Sequence, residues 1–163
     1  MMKSFLFLFL ITGQFCIAQN SLDKLLEKFN KGSVPYMTIS DLHKIKDLVV
    51  ILDTREKEEF EISHIPKAKY VGYNNFSLQK LDSLKVPKTS TIVVYCSLGI
   101  RSEDIGEKIK EYGYPNVFNL YGGIFEWKNN NLEIVNCYNK ITDSIHTFSE
   151  KWSRWMQNGI KVY

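Results

Sequence analysis

The chain of 163 residues lacks several things that would each point to a different kind of protein. Its longest uninterrupted apolar run, Phe5 to Ile11, is well short of the roughly 20 residues that a membrane-spanning helix needs. No internal repeat and no low-complexity tract breaks the sequence, which argues against repeat architectures and long disordered segments. Histidine is scarce at three, cysteine at three, and neither shows the spacing of metal ligands, so no metal site is expected. No glycine-rich nucleotide loop is present, and no cofactor is expected. The formal net charge is only +3, and the longest basic cluster is Lys44 with Lys46, so nothing recommends a nucleic-acid partner.

What remains is the composition of one folded domain, 44% hydrophobic and 24% charged. The first residues read differently from the rest. Lys3 precedes the apolar run, Gly13 breaks it, and Cys16-Ile17-Ala18 offers small residues before Gln19. Residues 1–18 are therefore read as a cleaved signal peptide, which makes the protein periplasmic or secreted. A lipoprotein leader ending at Cys16 is the alternative, disfavoured by bulky Phe15. Cleavage leaves Cys96 and Cys137, the latter read either as an inert residue or as a resolving thiol that closes a reversible disulfide on Cys96.

Periodicity divides the mature chain. Residues 19–35 hold an amphipathic helix (Leu22, Leu25, Leu26, Phe29) and a linker containing Gly32 and Pro35. Over residues 36–131 strands and helices alternate. Strands are predicted at 36–39, 49–52, 69–73, 91–95 and 117–120. Helices are predicted at 41–46 with Ser40 as cap, 57–62, 77–84 and 103–112. That alternation implies a mainly parallel sheet with helices on both faces, a three-layer α/β/α fold. In residues 132–163 the stripe Ile145, Phe148, Trp152, Trp155, Met156 predicts an amphipathic helix, packed on the core or else forming a surface for another protein or a wall of the active-site mouth.

The chemistry concentrates in Cys96-Ser97-Leu98-Gly99-Ile100-Arg101-Ser102. The β-branched run before it reads as a buried strand, and the segment after it as a helix. A cysteine at that junction lies over a helix N-terminus whose N–H groups lack partners. Those dipoles and the Arg101 guanidinium favour a thiolate. Gly99 is expected to allow the loop to curl with its amides inward. Leu98 and Ile100 are expected at its entrance, and Ser102 either caps the helix or donates toward sulfur.

The C-x4-R spacing resembles the active-site loop of the rhodanese family of single-domain sulfurtransferases. Leu52-Asp53-Thr54-Arg55 resembles that family's D-x-R, His64-Ile65-Pro66-Lys67-Ala68 its H-I-P-G-A, and Tyr121-Gly122-Gly123 through Trp127 its G-G-x-x-x-W. The four motifs fall in the family's order across roughly residues 38–130, with Lys67 where glycine is usual. The resemblance implies a rhodanese-like fold and a sulfurtransferase. Such an enzyme takes a sulfane sulfur from a small donor such as thiosulfate and holds it as a Cys96 persulfide. It then passes the sulfur to cyanide, a thiol or a protein acceptor. Cys96 and Arg101 are the catalytic candidates, with Ser97, Leu98, Gly99, Ile100 and Ser102 forming the cradle. Asp53, Arg55, His64, Gly122 and Gly123 are expected to support it, Arg55 by pairing with Glu59, and Asp53 by fixing a loop or Arg101. A monomer is expected. A sulfur-carrier or regulatory module, and a cysteine-dependent phosphatase or arsenate reductase, are the competing readings.

Overall fold

Five short runs of β-branched and aromatic residues pair side by side, all in parallel, to make the central sheet. In the computed structural model, which describes residues 22–163, these are β1 (Tyr36–Met37), β2 (Val50–Asp53), β3 (Lys69–Tyr70), β4 (Ile92–Tyr95) and β5 (Val117–Leu120). Their order across the sheet is β1-β5-β4-β2-β3. β4 is therefore central, in register with β2 from Val50↔Ile92 to Asp53↔Tyr95 and with β5 from Ile92↔Val117. All four β4 residues are buried. A strand buried on both faces must be covered on both.

The cover comes from α2 (Ile39–Ile45), α3 (Lys57–Ile62), α4 (Leu78–Ser83), α5 (Arg101–Glu111) and α6 (Gly123–Asn129), with α1 at 22–29 ahead of the unit that begins at Ser33. On one face Leu52, Val94, Ile92 and Val117 pack with Leu81 of α4 and with Ile105 and Ile109 of α5. The alternate residues Ile51, Val93 and Tyr95 point the other way. Because every strand runs in the same direction, the ends of β2, β4 and β5 gather at one edge of the sheet, where parallel α/β folds bind ligands. The leader read at residues 1–18, with Cys16, lies outside the described residues.

Two readings are corrected. Thr38, not Ser40, caps α2: its hydroxyl accepts from the Asp41 N–H at 3.1 Å. The apolar stripe from Ile145 to Met156 is not one helix. Ser144–His146 is a strand, β8, lying parallel to β9 (Ile160–Val162), and only Glu150–Ser153 is helical, as α7. β-Branched Ile145 and Thr147 suit extended backbone. Phe148 at φ +65 breaks helical continuation, and Gly159 at φ +104 turns the chain back so that β9 can pair. The remaining strands, β6 (Ile134–Val135) and β7 (Ile141–Thr142), form a small antiparallel ladder, which His64 joins through a bridge to Val135.

Candidate active site

Between the end of β4 and the start of α5, five residues make a tight loop whose peptide groups are fixed from outside. The carbonyls of Cys96 and Ser97 accept from the N–H groups of Ile124 and Phe125, at 3.0 and 3.1 Å. These are among the N–H groups that a helix start leaves without intrahelical partners, here at the head of α6. With those carbonyls held outward, the loop amides turn inward. Gly99, at φ +97, brings its N–H to 3.1 Å from Cys96 Sγ. Its carbonyl accepts from Asn119 Nδ2 at 2.8 Å. The close approach of α6 needs Gly123 as well: at φ +56, a Cβ there would collide with the Cys96 carbonyl and lie 2.7 Å from the Ser97 carbonyl carbon.

Cys96 is 2% exposed. Burial pushes its thiol up, but the Arg101 charge and hydrogen bonds from Ser102 and the backbone at Ser102 and Leu98 outweigh that, holding it below the ordinary 9.0. Ser102 does not cap α5. Ile100 occupies the cap position and Ser102 is inside the helix. Its single hydroxyl proton lies between Asn119 Oδ1 at 2.7 Å and Sγ at 3.5 Å. Leu98 is buried, so of the two apolar loop residues only Ile100 is partly open to solvent.

The partner of Arg101 is Glu59 of α3. Two parallel bonds of 2.8 Å join the guanidinium to its carboxylate, and Arg101 Nη2 also donates to Ser97 Oγ at 3.1 Å. Burial pushes the Glu59 carboxyl up, but the Arg101 hydrogen bonds and charge overcome it and hold the group ionised below the ordinary range. The pairing expected between Arg55 and Glu59 is therefore not made. Arg55 instead grips Asp53, with Nε at 3.0 Å from Oδ1 and Nη2 at 2.7 Å from Oδ2, and also donates to the Ser63 carbonyl. Asp53 correspondingly fixes Arg55 rather than Arg101. His64 stacks on Phe60 at 3.9 Å, with its Nδ1 at 3.0 Å from the Phe60 carbonyl, and burial lowers its pKa.

Cys96, Ser97, Gly99, Arg101 and Ser102 are thus brought together at the sulfur, with Gly123 closing against the loop and Gly122, at φ +69, in the N-cap position of α6. Two participants escape sequence reasoning, and a third lies in the C-terminal stripe. Glu59 was hidden because its spacing matched Arg55. Asn119 had a visible signal, a lone polar side chain inside the otherwise apolar run Val117–Leu120. Phe148, with its ring centroid 5.6 Å from the Arg101 guanidinium carbon, belongs to the apolar stripe of residues 145–156, one reading of which is a wall at the mouth of the site.

The model of the rhodanese-like domain matches residues 38–130. The chain belongs to the rhodanese-like family. Thiosulfate sulfurtransferase GlpE of Coxiella burnetii is 32% identical to this rhodanese-like chain over 97 residues, 58% of the chain and 85% of that protein. Adenylyltransferase and sulfurtransferase UBA4 of Meyerozyma guilliermondii is 34% identical over 83 residues, and tRNA uridine(34) hydroxylase of Erwinia tasmaniensis 29% over 130. The matches take in 48% and 77% of this chain but only 20% and 37% of those two relatives. Among solved structures, BH2092 of Bacillus halodurans superposes with a TM-score of 0.56 at 22% identity, covering 70% of this chain and 85% of that one. The fold is rhodanese-like α/β, and the family is one of sulfurtransferases.

Proposed function

We propose that this protein is a thiosulfate-type sulfurtransferase working through a persulfide on Cys96. The observation that carries the reading is the Gly99 N–H at 3.1 Å from a buried Sγ, beneath an arginine held in place by Glu59. The Cys96 thiolate attacks the outer sulfur of thiosulfate, the S–S bond breaks, and its electron pair leaves with sulfite. The new terminal sulfur carries the negative charge, and the inward amides stabilise it as they do the thiolate. A thiophilic acceptor (cyanide, a thiol or a protein thiolate) then removes that sulfur and restores Cys96. The name of GlpE, and its match across most of its own length, support thiosulfate as donor.

A phosphatase reading is disfavoured by the two acids at the start of α5. Glu103 accepts from the Ser33 N–H and hydroxyl, at 3.0 and 3.3 Å, and Asp104 from the Tyr73 hydroxyl at 2.7 Å. Neither is free to protonate a leaving oxygen.

The test is intact-mass analysis after incubation with thiosulfate. One added sulfur atom is expected, removed by cyanide with release of thiocyanate and absent from Cys96→Ser. Thiocyanate production by that variant at the wild-type rate would remove Cys96 from the mechanism. The apolar stretch behind Lys3 supports export through a cleaved leader, which the N-terminal sequence of protein isolated from its native cells checks.

A further inference from the structure

Phe148 is unusual in three independent ways. The residue is 59% exposed. Its backbone, at φ +65, lies in the left-handed region that bulky side chains rarely adopt. And the ring sits over the guanidinium of Arg101, although Phe148 lies outside the matched residues 38–130. The chain on either side is pinned. Buried Thr147 bonds twice to the Val162 carbonyl, through N–H at 2.8 Å and hydroxyl at 3.2 Å. Ser149 N–H donates to the Thr147 carbonyl at 2.7 Å, and Phe148 N–H to His146 Nδ1 at 3.2 Å. Neither core burial nor regular structure accounts for a residue held this way, and strain maintained by its surroundings is characteristic of functional positions.

The Arg101 fork is already engaged in its own plane by Glu59 and Ser97. Its charge is shared between Glu59 and the Cys96 sulfur, so less of it is left for a doubly charged inorganic donor. The Phe148 ring centroid lies 5.6 Å from the guanidinium carbon, and Ile100 is partly exposed beside Arg101. A donor that reaches Arg101 thus meets an aromatic ring together with the cation.

We infer that Phe148 is a specificity-determining residue of the donor site, favouring organic thiosulfonates with an aryl group over inorganic thiosulfate. This rests on the sulfurtransferase reading above. In the step, the Cys96 thiolate forms a bond to the outer sulfur of R–SO2–S⁻, the S–S bond breaks, and the electron pair departs with the sulfinate R–SO2⁻. Cys96 is left as the persulfide anion, with no proton or external electron required.

The test compares the full chain with Phe148→Ala and Phe148→Gly, using benzenethiosulfonate or thiosulfate as donor and cyanide as acceptor. In both variants kcat/KM for benzenethiosulfonate falls about tenfold, the worth of one aromatic contact, while that for thiosulfate changes by less than about twofold. Phe148→Gly also relieves the positive φ, so its Tm is equal to or above that of the wild type, which separates lost recognition from lost folding. Equal losses with both donors would assign the ring to support of Arg101 and overturn the inference, as would no loss with either. Wild-type protein that transfers sulfur from neither donor would overturn the sulfurtransferase reading itself and the donor preference with it.

Discussion

Two arginines stand beside neighbouring strand ends, and they do opposite work. Arg55 follows β2, is wholly buried, and spends its charge on Asp53 two residues back and on the Ser63 carbonyl beyond α3. Its guanidinium also lies 5.8 Å from the Tyr95 ring, whose hydroxyl accepts from the Ile65 N–H at 3.1 Å. Arg101 opens α5, keeps 22% of its side chain exposed, and reaches across to Glu59 beside Cys96. The first arginine fastens the frame. The second sets the charge of the sulfur. The same residue type, similarly paired to a carboxylate, is divided between folding and chemistry by burial and by what lies next to it.

The largest effect is expected where the frame is cut. Arg55→Leu leaves Asp53 buried without its partner, which costs about 3–5 kcal/mol, a large share of the roughly 5–15 kcal/mol that holds a domain folded. Urea unfolding should show this, and the double variant Asp53→Leu/Arg55→Leu should recover much of the loss by removing the orphaned charge. Arg101→Leu should cost less, about 1–2 kcal/mol. Glu59 retains hydrogen bonds from the Glu56 N–H and Ser97 Oγ, and water can enter at the exposed side. Equal destabilisation by the two single variants would erase the distinction between frame and site.

Most of the frame was legible because its signals are local. Alternating strands and helices, Gly99 at the loop and the run into Cys96 each act over a few residues, and the parallel sheet follows from them. What was not legible depended on partners distant in sequence. Arg55 had two candidate carboxylates at short range, and only the packed interior decides that Asp53 holds it while Glu59 turns to Arg101, 42 residues away. The C-terminal stripe had helical spacing, yet β9 offers Ile145 a parallel partner and Phe148 breaks the turn. Periodicity reports which residues are apolar, not which neighbour they meet.

The next effect concerns ionisation, and it sharpens the contrast because Arg55 stays protonated throughout. The folded thiol of Cys96 is held below the 9.0 of an ordinary cysteine. A group with a depressed folded pKa stabilises the fold fully above its unfolded value, and that increment is lost as pH falls through the folded value. The stability of wild type relative to Cys96→Ser, under reducing conditions, should therefore grow as pH rises toward 9.0 and level off above it. In Arg101→Leu only the hydrogen bonds from Ser102 and the loop amides still oppose the burial cost of the thiolate, so this pH-dependent increment should shrink. Iodoacetamide labelling of Cys96 at pH 6.5 should slow by about tenfold, corresponding to one pKa unit. An unchanged labelling rate would detach Arg101 from the sulfur.

The smallest effect tests the frame at an exposed, strained turn. Ile65, whose N–H reaches Tyr95, begins a turn in which Pro66 takes the second position and Lys67 the third, closed by Ala68 N–H to the Ile65 carbonyl at 3.0 Å. Proline followed by a residue of positive φ is the pattern of a type II turn, which favours glycine at the third position. Lys67 sits there at φ +67. In exchange its ammonium meets Asp47 at 2.6 Å, an exposed pair in which Lys67 pulls the Asp47 carboxyl down from its ordinary value. Exposed pairs contribute little to stability, whereas left-handed backbone at a residue with a Cβ costs about 1 kcal/mol. Part of that gain is returned through the greater chain entropy of unfolded glycine, leaving Lys67→Gly about 0.5 kcal/mol more stable in urea. Lys67→Ala, which loses the ion pair and keeps the strain, should be no more stable than wild type. A loss in Lys67→Gly would mean that the contact with Asp47 outweighs the turn, and that the lysine is part of the fastening around Arg55 rather than a tolerated departure from glycine.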